Sequence, residues 1–285
     1  AVSVSPVLGF VAVGNHLAAD RFTYIPMLGL AVLAGAVLHG LRSGPRRMGL
    51  VLAGILLAGY GIMTWRQCRV WKDTESLWGS VLARYPATAT AHNNLATALA
   101  NQGDFSAAQR HYGAAAAIWP HDRLIRKAYA DMLYNQGNIA SRAGKRPESI
   151  ALYRSALARY PDSAETHNNL GLVLAKSGRS SEAQAHYGEA ARLRPDFAEA
   201  QYNWGNALSD QGRFAAAERR YLRALELDAG LLDARFNLAN TLARQARWRE
   251  AIEQYQTLLE RAPAFPGARE NLAQVRRAGR ISAGR

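Results

Sequence analysis

The sequence predicts an all-α protein, in which two transmembrane helices and the end of a third precede a right-handed superhelical solenoid of helical hairpins. Three observations support this prediction. Apolar residues are concentrated in residues 1–65 of the 285-residue chain, and the remainder is rich in alanine and arginine. Two apolar stretches in this first part lack the polar stripe of a soluble helix. Prolines then recur at a fixed spacing, which indicates a repeat architecture.

The two apolar stretches are residues 25–41 and 48–65, near the shortest length that spans a bilayer, about 17–25 residues. His39 is the only histidine or charged residue in the first stretch, and the second has none. Residues 2–14 have the composition of a third span that lacks its beginning. Because the chain starts with Ala1 inside this apolar run, we expect it to be the C-terminal part of a longer protein.

The loop between the two spans, residues 42–47, contains three arginines and predicts the orientation of the chain. Short loops that carry arginine and lysine favour the cytoplasmic side of a membrane. Arg66, Arg69 and Lys72 follow the second span and reduce this charge difference. The predicted location is the bacterial inner membrane, with the repeats and the loop at residues 15–24 on the periplasmic side.

This outer loop places His16, Asp20 and Arg21 beside a membrane span, where ionisable residues tend to be functional. One interpretation is contact with a lipid phosphate, with the guanidinium of Arg21 as the forked donor. The other interpretation is a capped helix start whose aromatic residues Phe22 and Tyr24 lie at the membrane interface. The residues alone leave both interpretations open.

The prolines of the remaining chain define the repeat length. Five of these prolines, at positions 86, 120, 161, 195 and 263, are separated by gaps of 34, 41, 34 and 68 residues. A period of 34 residues is typical of tetratricopeptide repeats, in which each unit is a pair of helices. A small residue, a turn glycine and a tyrosine recur at the same spacing; the tyrosines are Tyr112, Tyr153, Tyr187, Tyr221 and Tyr255.

This spacing predicts the domain organisation. Residues 1–65 form the transmembrane region, residues 66–88 a linking helix, and residues 89–285 the repeat domain. About five repeats are expected, followed by a capping helix at residues 266–278. The repeats are predicted at 89–122, 123–163, 164–197, 198–231 and 232–265. The second is seven residues longer than the others, which corresponds to two additional helical turns.

Asparagine recurs at one position in the first helix of the repeats. These residues, named the asparagine ladder, are Asn94, Asn169, Asn203, Asn237 and Asn271. The long repeat is expected to break the series, with Ala128 in register. An amide side chain both donates and accepts, so the ladder could bind the backbone of an extended polypeptide in the concave groove. The alternative is a repeated structural hydrogen bond between neighbouring repeats.

Other partners and chemistries are not predicted. The net charge of +13 comes from arginines that are dispersed among acidic residues, so no nucleic-acid partner is expected. Asn93, Thr97, Glu165 and Glu199 occupy the positions where a clamp for acidic C-terminal peptides needs lysine and arginine. The histidines of the repeats reflect equivalent positions, not a catalytic or metal cluster. We therefore expect no catalytic residue, metal or cofactor in this chain.

Two segments resemble a known family. The first is His16-x3-Asp20-Arg21-Phe22-x-Tyr24-Ile25-Pro26-x2-Gly29, and the second is Trp71-Lys72-Asp73-x3-Leu77-Trp78. Together with the hairpin of spans and the repeats, they resemble the C-terminal part of membrane tetratricopeptide-repeat O-mannosyltransferase-like proteins. These are enzymes of the type that uses a polyprenyl-phosphate sugar donor.

The resemblance implies that the parent protein transfers a sugar to proteins outside the cytoplasm, with the repeats presenting the acceptor. The asparagine ladder is similar to the one that lines the repeats of O-GlcNAc transferases. The family's catalytic acidic residues belong to an early loop that this sequence does not contain, so the piece by itself is expected to be inactive. The rival hypothesis is a non-catalytic, membrane-anchored scaffold that assembles a protein complex through the same groove.

Overall fold

The computed structural model of the chain describes residues 72–283 and isolated positions between 54 and 70. The predicted spans at residues 2–14 and 25–41 and the loops at 15–24 and 42–47 lie outside the described residues. The predicted span at residues 48–65 is described only at scattered positions. Within the part of the chain that the structure describes, no helix combines the length and apolarity needed to cross a membrane.

Residues 72–283 form twelve α-helices and contain no strand, which confirms the prediction of an all-α solenoid. The chain divides into two compact units at Pro120 and His121. The helices of the first unit are α1 (Thr74–Arg84), α2 (Ala89–Asn101) and α3 (Phe105–Ile118). Those of the second unit are α4 (Arg123–Arg142), α5 (Arg146–Arg159), α6 (Ala164–Lys176), α7 (Ser180–Leu193), α8 (Ala198–Asp210), α9 (Phe214–Leu227), α10 (Leu232–Arg244), α11 (Trp248–Arg261) and α12 (Ala268–Ala283).

A residue with positive φ ends the first helix of each hairpin. It is Gly103, Gly144, Gly178 or Gly212 in four hairpins, with φ between 72° and 87°. Glycine adopts this left-handed conformation without steric cost and is the usual residue at such helix ends. In the hairpin of α10 and α11 the position is Ala246, with φ of 57°. A side chain is strained in this conformation, which lowers the stability of the array.

Glycines on first helices allow tyrosines on second helices to pack closely. A Cβ atom at Gly171 would lie 2.8 Å from the ring of Tyr187, and one at Gly205 would lie 2.6 Å from the ring of Tyr221. Both tyrosines are only 1% exposed. These two hairpins therefore bury a tyrosine against the bare backbone of a glycine, as the combination of small residue and tyrosine in the sequence predicts.

The long repeat corrects one expectation from the sequence. Helix α4 has 20 residues, whereas α6 has 13. A Cβ at Gly137 would meet Tyr153 at 2.6 Å, so Gly137 is equivalent to Gly171 and the seven additional residues lie at the start of α4. The expectation that Ala128 is in register with the ladder is therefore wrong. The residue 34 positions before Asn169 is Asn135, which is exposed.

Candidate peptide-binding groove

Ladder residues of the second unit connect the first helices of adjacent repeats. The Nδ2 atom of Asn169 on α6 donates to Oδ1 of Asn138 on α4 at 3.0 Å. Asn237 on α10 donates in the same way to Asn206 on α8 at 2.9 Å. Asn271 on α12 donates to Asn240 on α10 at 2.9 Å. The three bonds each join residues 31 positions apart, so they form one repeated contact between stacked hairpins.

The buried tyrosines complete the same pattern. Tyr153 donates its hydroxyl hydrogen to Oδ1 of Asn138 at 2.6 Å, and Tyr221 donates to Asn206 at 2.8 Å. Tyr255 donates to Oδ1 of Asn240. Burial raises the pKa of the Tyr255 phenol, so this group stays protonated and remains a donor. One amide oxygen therefore accepts two hydrogen bonds and holds the second helix of its own repeat to the first helix of the next.

In the pairs Asn206–Asn237 and Asn240–Asn271 this pairing leaves one donor and one acceptor free, whereas Oδ1 of Asn169 accepts from Asn168 at 3.3 Å. The Nδ2 of Asn206 and the Oδ1 of Asn237 have no hydrogen-bonding partner among the described residues, and neither belongs to the buried polar atoms that lack one. Both atoms are therefore open to solvent. A peptide backbone offers one carbonyl and one N–H per residue, which matches this free donor and acceptor.

These amides line a cavity of 840 Å³ in the last part of the second unit. Its walls include Asn206, Asn237, Asn240 and Asn271 from the first helices, and Trp248 at the start of α11. Because the cavity combines free amide atoms with an indole ring, it offers both polar and apolar contacts to a chain lying along it. The ladder residues Asn237 and Asn271 line this cavity, and the binding of a polypeptide there stays a prediction.

Two ladder residues differ from this pattern. Asn203 is only 7% exposed, and its Nδ2 donates to Oδ1 of Asn168 at 3.1 Å. Leu172 occupies the position equivalent to Asn138 and Asn206, so Asn203 has no amide 31 residues before it. Asn94 lies on α2 in the first unit, where its Oδ1 accepts from Asn93 at 3.4 Å.

The sequence identified part of this site and missed part of it. The ladder predicted from the sequence contains the donors Asn169, Asn237 and Asn271 but not their acceptors, which lie 31 residues earlier. Asn138 was not identified, because the wrong register of the long repeat hid it. A spacing of 31 residues between asparagines, with a tyrosine 15 residues after the first, is the signal that would have found all three pairs.

The other predicted site lies elsewhere in the chain. His16, Asp20 and Arg21 are outside the described residues, so their proposed lipid contact stays a prediction. Across the described residues, no group of three or more histidine, cysteine, aspartate and glutamate side chains is placed to hold a metal ion.

The repeats define the class of this protein. Two family models, both described as tetratricopeptide repeat, match the chain at residues 87–162 and 128–196, and at 169–231, 202–263 and 236–283. Together they span residues 87–283, and the chain belongs to the tetratricopeptide-repeat family. Its described part is thus a protein-binding repeat domain.

Among known proteins, the chain is similar to the protein O-mannosyl-transferase Tmtc2 of Drosophila melanogaster. The two are 31% identical over 99 residues, which is 34% of this chain and 10% of the fly protein. The chain thus matches about a tenth of that relative's length.

Two solved structures share the fold. YrrB, a tetratricopeptide-repeat protein with an unusual peptide-binding site, is 20% identical with a TM-score of 0.55, covering 68% of this chain and 96% of YrrB. A tetratricopeptide-repeat protein from Parabacteroides merdae is 21% identical with a TM-score of 0.52, covering 67% of this chain and 73% of its own.

Proposed function

We propose that the repeat domain binds an extended segment of polypeptide in the asparagine-lined groove and presents it to a membrane glycosyltransferase of which this chain is the C-terminal part. The observation that supports binding is the free donor and acceptor left on the pairs Asn206–Asn237 and Asn240–Asn271. Asn206 offers Nδ2, and Asn237 offers Oδ1, at the wall of the 840 Å³ cavity. Contacts to the backbone are independent of side-chain identity, as an enzyme with many acceptor proteins requires.

The transferase part of the proposal rests on resemblance. The segment from His16 to Gly29 and the segment from Trp71 to Trp78 resemble the O-mannosyltransferase-like family, and the similarity to Tmtc2 is compatible with it. In this proposal the chain is an integral protein of the bacterial inner membrane, with the repeats on the periplasmic side. His16, Asp20 and Arg21 contact the phosphate of a membrane lipid, of which a polyprenyl-phosphate sugar is the favoured candidate.

Asparagine-to-aspartate variants test the groove. Asn206→Asp keeps an acceptor oxygen for Tyr221 and Asn237 but replaces the free donor with a carboxylate oxygen, which repels a peptide carbonyl. Binding of a fluorescein-labelled mixture of random 12-residue peptides to the full chain is measured by anisotropy. Combining Asn206→Asp with Asn240→Asp removes two hydrogen bonds of about 0.5–1.5 kcal/mol each, so we expect at least a several-fold loss of affinity.

Gln256→Glu is the matched control for the single variant Asn206→Asp, because it adds one negative charge at an exposed position of α11 that does not line the cavity. We expect its affinity to equal that of the unmodified chain. Equal weakening by Gln256→Glu and by Asn206→Asp would show that net charge, not the amide donor, governs binding. Unchanged affinity of the double variant would refute the groove as the binding site.

The alternative is a non-catalytic, membrane-anchored scaffold that assembles a protein complex through the same groove. Extending the reading frame upstream of Ala1 separates the two functions. Further spans with a pair of acidic residues in the first outer loop would support the transferase. Sugar transfer from polyprenyl-phosphate mannose to peptides, measured with the complete protein, would then test it directly. A start codon shortly before Ala1 would favour the scaffold.

A further inference from the structure

Two pairs of histidines occupy equivalent places in two repeats and are not used by the groove. His92 on α2 and His111 on α3 have their Nδ1 atoms 2.9 Å apart. His167 on α6 and His186 on α7 repeat this arrangement, also at 2.9 Å. The ring centroids are separated by 5.1 Å and 5.2 Å respectively. In each pair, one ring comes from the first helix and one from the second helix of the same hairpin.

A backbone carbonyl orients the first histidine of each pair. The Nε2 of His92 lies 2.9 Å from the carbonyl oxygen of Pro86, and that of His167 lies 3.1 Å from the carbonyl oxygen of Pro161. Because a carbonyl only accepts, Nε2 carries the hydrogen and Nδ1 presents its lone pair to the partner ring. An imidazole whose far nitrogen donates to a carbonyl is the usual arrangement of a metal-ligating histidine.

The fold does not require histidine at this place. In the next two repeats the same pair of positions holds Gln201 with Arg220 and Arg235 with Gln254, hydrogen-bonded at 3.3 Å and 3.0 Å. An amide and a guanidinium therefore supply the cross-helix contact that the hairpin needs. The two histidine pairs add a property that these pairs lack, namely two neutral nitrogen ligands at one point.

We propose that the pairs His92–His111 and His167–His186 are two equivalent binding sites for a divalent transition-metal ion such as Zn²⁺, Ni²⁺ or Cu²⁺, each contributing two imidazole Nδ1 ligands. Imidazole nitrogens bind these ions at about 2.0–2.1 Å, so tetrahedral ligands lie roughly 3.3–3.4 Å apart. The Nδ1 atoms must separate by about 0.4–0.5 Å from their present positions, which small rotations of the half-buried rings supply.

Binding requires a change of tautomer but no net loss of a proton. In the unbound pair, the second histidine donates its Nδ1–H to the first. In the metal-bound pair, the second histidine carries its hydrogen on Nε2 instead, and the Nδ1 lone pairs of both histidines coordinate the ion. Water completes the coordination, because the described residues provide no cluster with a third protein ligand.

Charged residues of both signs lie near each site. Glu182 and Glu189 face the pair His167–His186, together with Arg154 and Arg192, so the nearby charges balance. At the first pair, Arg110 acts on His111, and Asp73, Glu75 and Asp104 line the same cavity as His111. Both sites therefore have carboxylates nearby, which favour a dication.

Calorimetric titration of the full chain with ZnCl₂ and NiCl₂ tests the proposal. The variant His167→Gln with His186→Arg copies the pair of the next repeat, and we expect it to lower the stoichiometry by one ion per chain. Adding His92→Gln and His111→Arg should lower the stoichiometry by a second ion per chain. His121→Gln changes an exposed histidine outside both pairs and should leave the stoichiometry unchanged.

The reverse exchange provides a gain of function. Gln201→His with Arg220→His places two imidazoles at the positions that the histidine pairs occupy in the other repeats. Pro195 lies at the position equivalent to Pro86 and Pro161, whose carbonyl oxygens orient the first histidine. We expect one additional ion per chain, and nitrogen hyperfine splitting from two imidazoles in the electron paramagnetic resonance spectrum of bound Cu²⁺. Circular dichroism verifies that each variant is folded. Unchanged stoichiometry in the fourfold variant, or no added site in the reverse exchange, would overturn the proposal.

Discussion

Asn206→Ala removes the oxygen that accepts from Tyr221 at 2.8 Å and from Asn237 at 2.9 Å. The two donors are affected differently. The phenol of Tyr221 belongs to a side chain that is 1% exposed, whereas the amide of Asn237 keeps a second acceptor in the hydroxyl of Tyr202 at 3.4 Å. An unpaired buried donor costs about 1–3 kcal/mol and a donor that keeps an acceptor costs much less. We therefore expect a loss of about 2 kcal/mol in the free energy of unfolding.

Urea unfolding followed by circular dichroism measures this loss. Asn135→Ala is the control, because Asn135 is exposed and has the same helical setting; we expect it to change stability by less than about 0.5 kcal/mol. Tyr221→Phe removes the donor but leaves Asn206 bonded to Asn237, so it should cost about 1 kcal/mol.

A double-mutant cycle isolates the pair. Asn206→Ala and Tyr221→Phe remove the two ends of one hydrogen bond, so their combined cost should be smaller than the sum of the single costs by about 1 kcal/mol. Additive costs, or a loss in Asn206→Ala no larger than that of Asn135→Ala, would refute the shared-acceptor role of Asn206.

Three further predictions follow from the structure. Ala246→Gly relieves a positive φ of 57° and should raise the free energy of unfolding by about 1 kcal/mol, measured by urea unfolding. Gly205→Ala places a Cβ 2.6 Å from the ring of Tyr221 and should lower the free energy of unfolding by about 1–3 kcal/mol. Burial lowers the pKa values of His167 and His186, so the unfolded chain binds more protons. The urea concentration at the midpoint of unfolding should therefore be constant above about pH 6.5 and decrease as the pH falls below that value. His167→Gln with His186→Arg should reduce this decrease.

The local structure follows closely from the sequence. The 34-residue period predicts the hairpins, because the turn residue and the packed tyrosine must return at the same place in each unit. Gly178 predicts the left-handed helix end, and Gly171 with Tyr187 predicts the close approach of two helices. The predicted boundary between residues 65 and 66, and the contacts of His16, Asp20 and Arg21, stay predictions.

The register of the long repeat could not be obtained by counting forward from the first repeat. Seven additional residues can enter a helix at either end without changing the side-chain phase, since they form two turns. Packing of Gly137 against Tyr153 places them at the start of α4 and makes Asn138 a partner of Asn169. The contact between the two helices fixes this register, which counting forward from the first repeat misses.

The sequence by itself determined that this protein is an array of helical hairpins with amides on one face, because side-chain type and spacing along a helix suffice for that conclusion. It left open whether the amides bind a polypeptide or each other. The tertiary structure decided how each amide is used: Nδ2 of Asn237 bonds to Asn206, while Asn203, facing Leu172, turns to Asn168 and is buried. A hydrogen bond between repeats depends on the residue that the neighbouring helix presents, which a period along one chain does not specify.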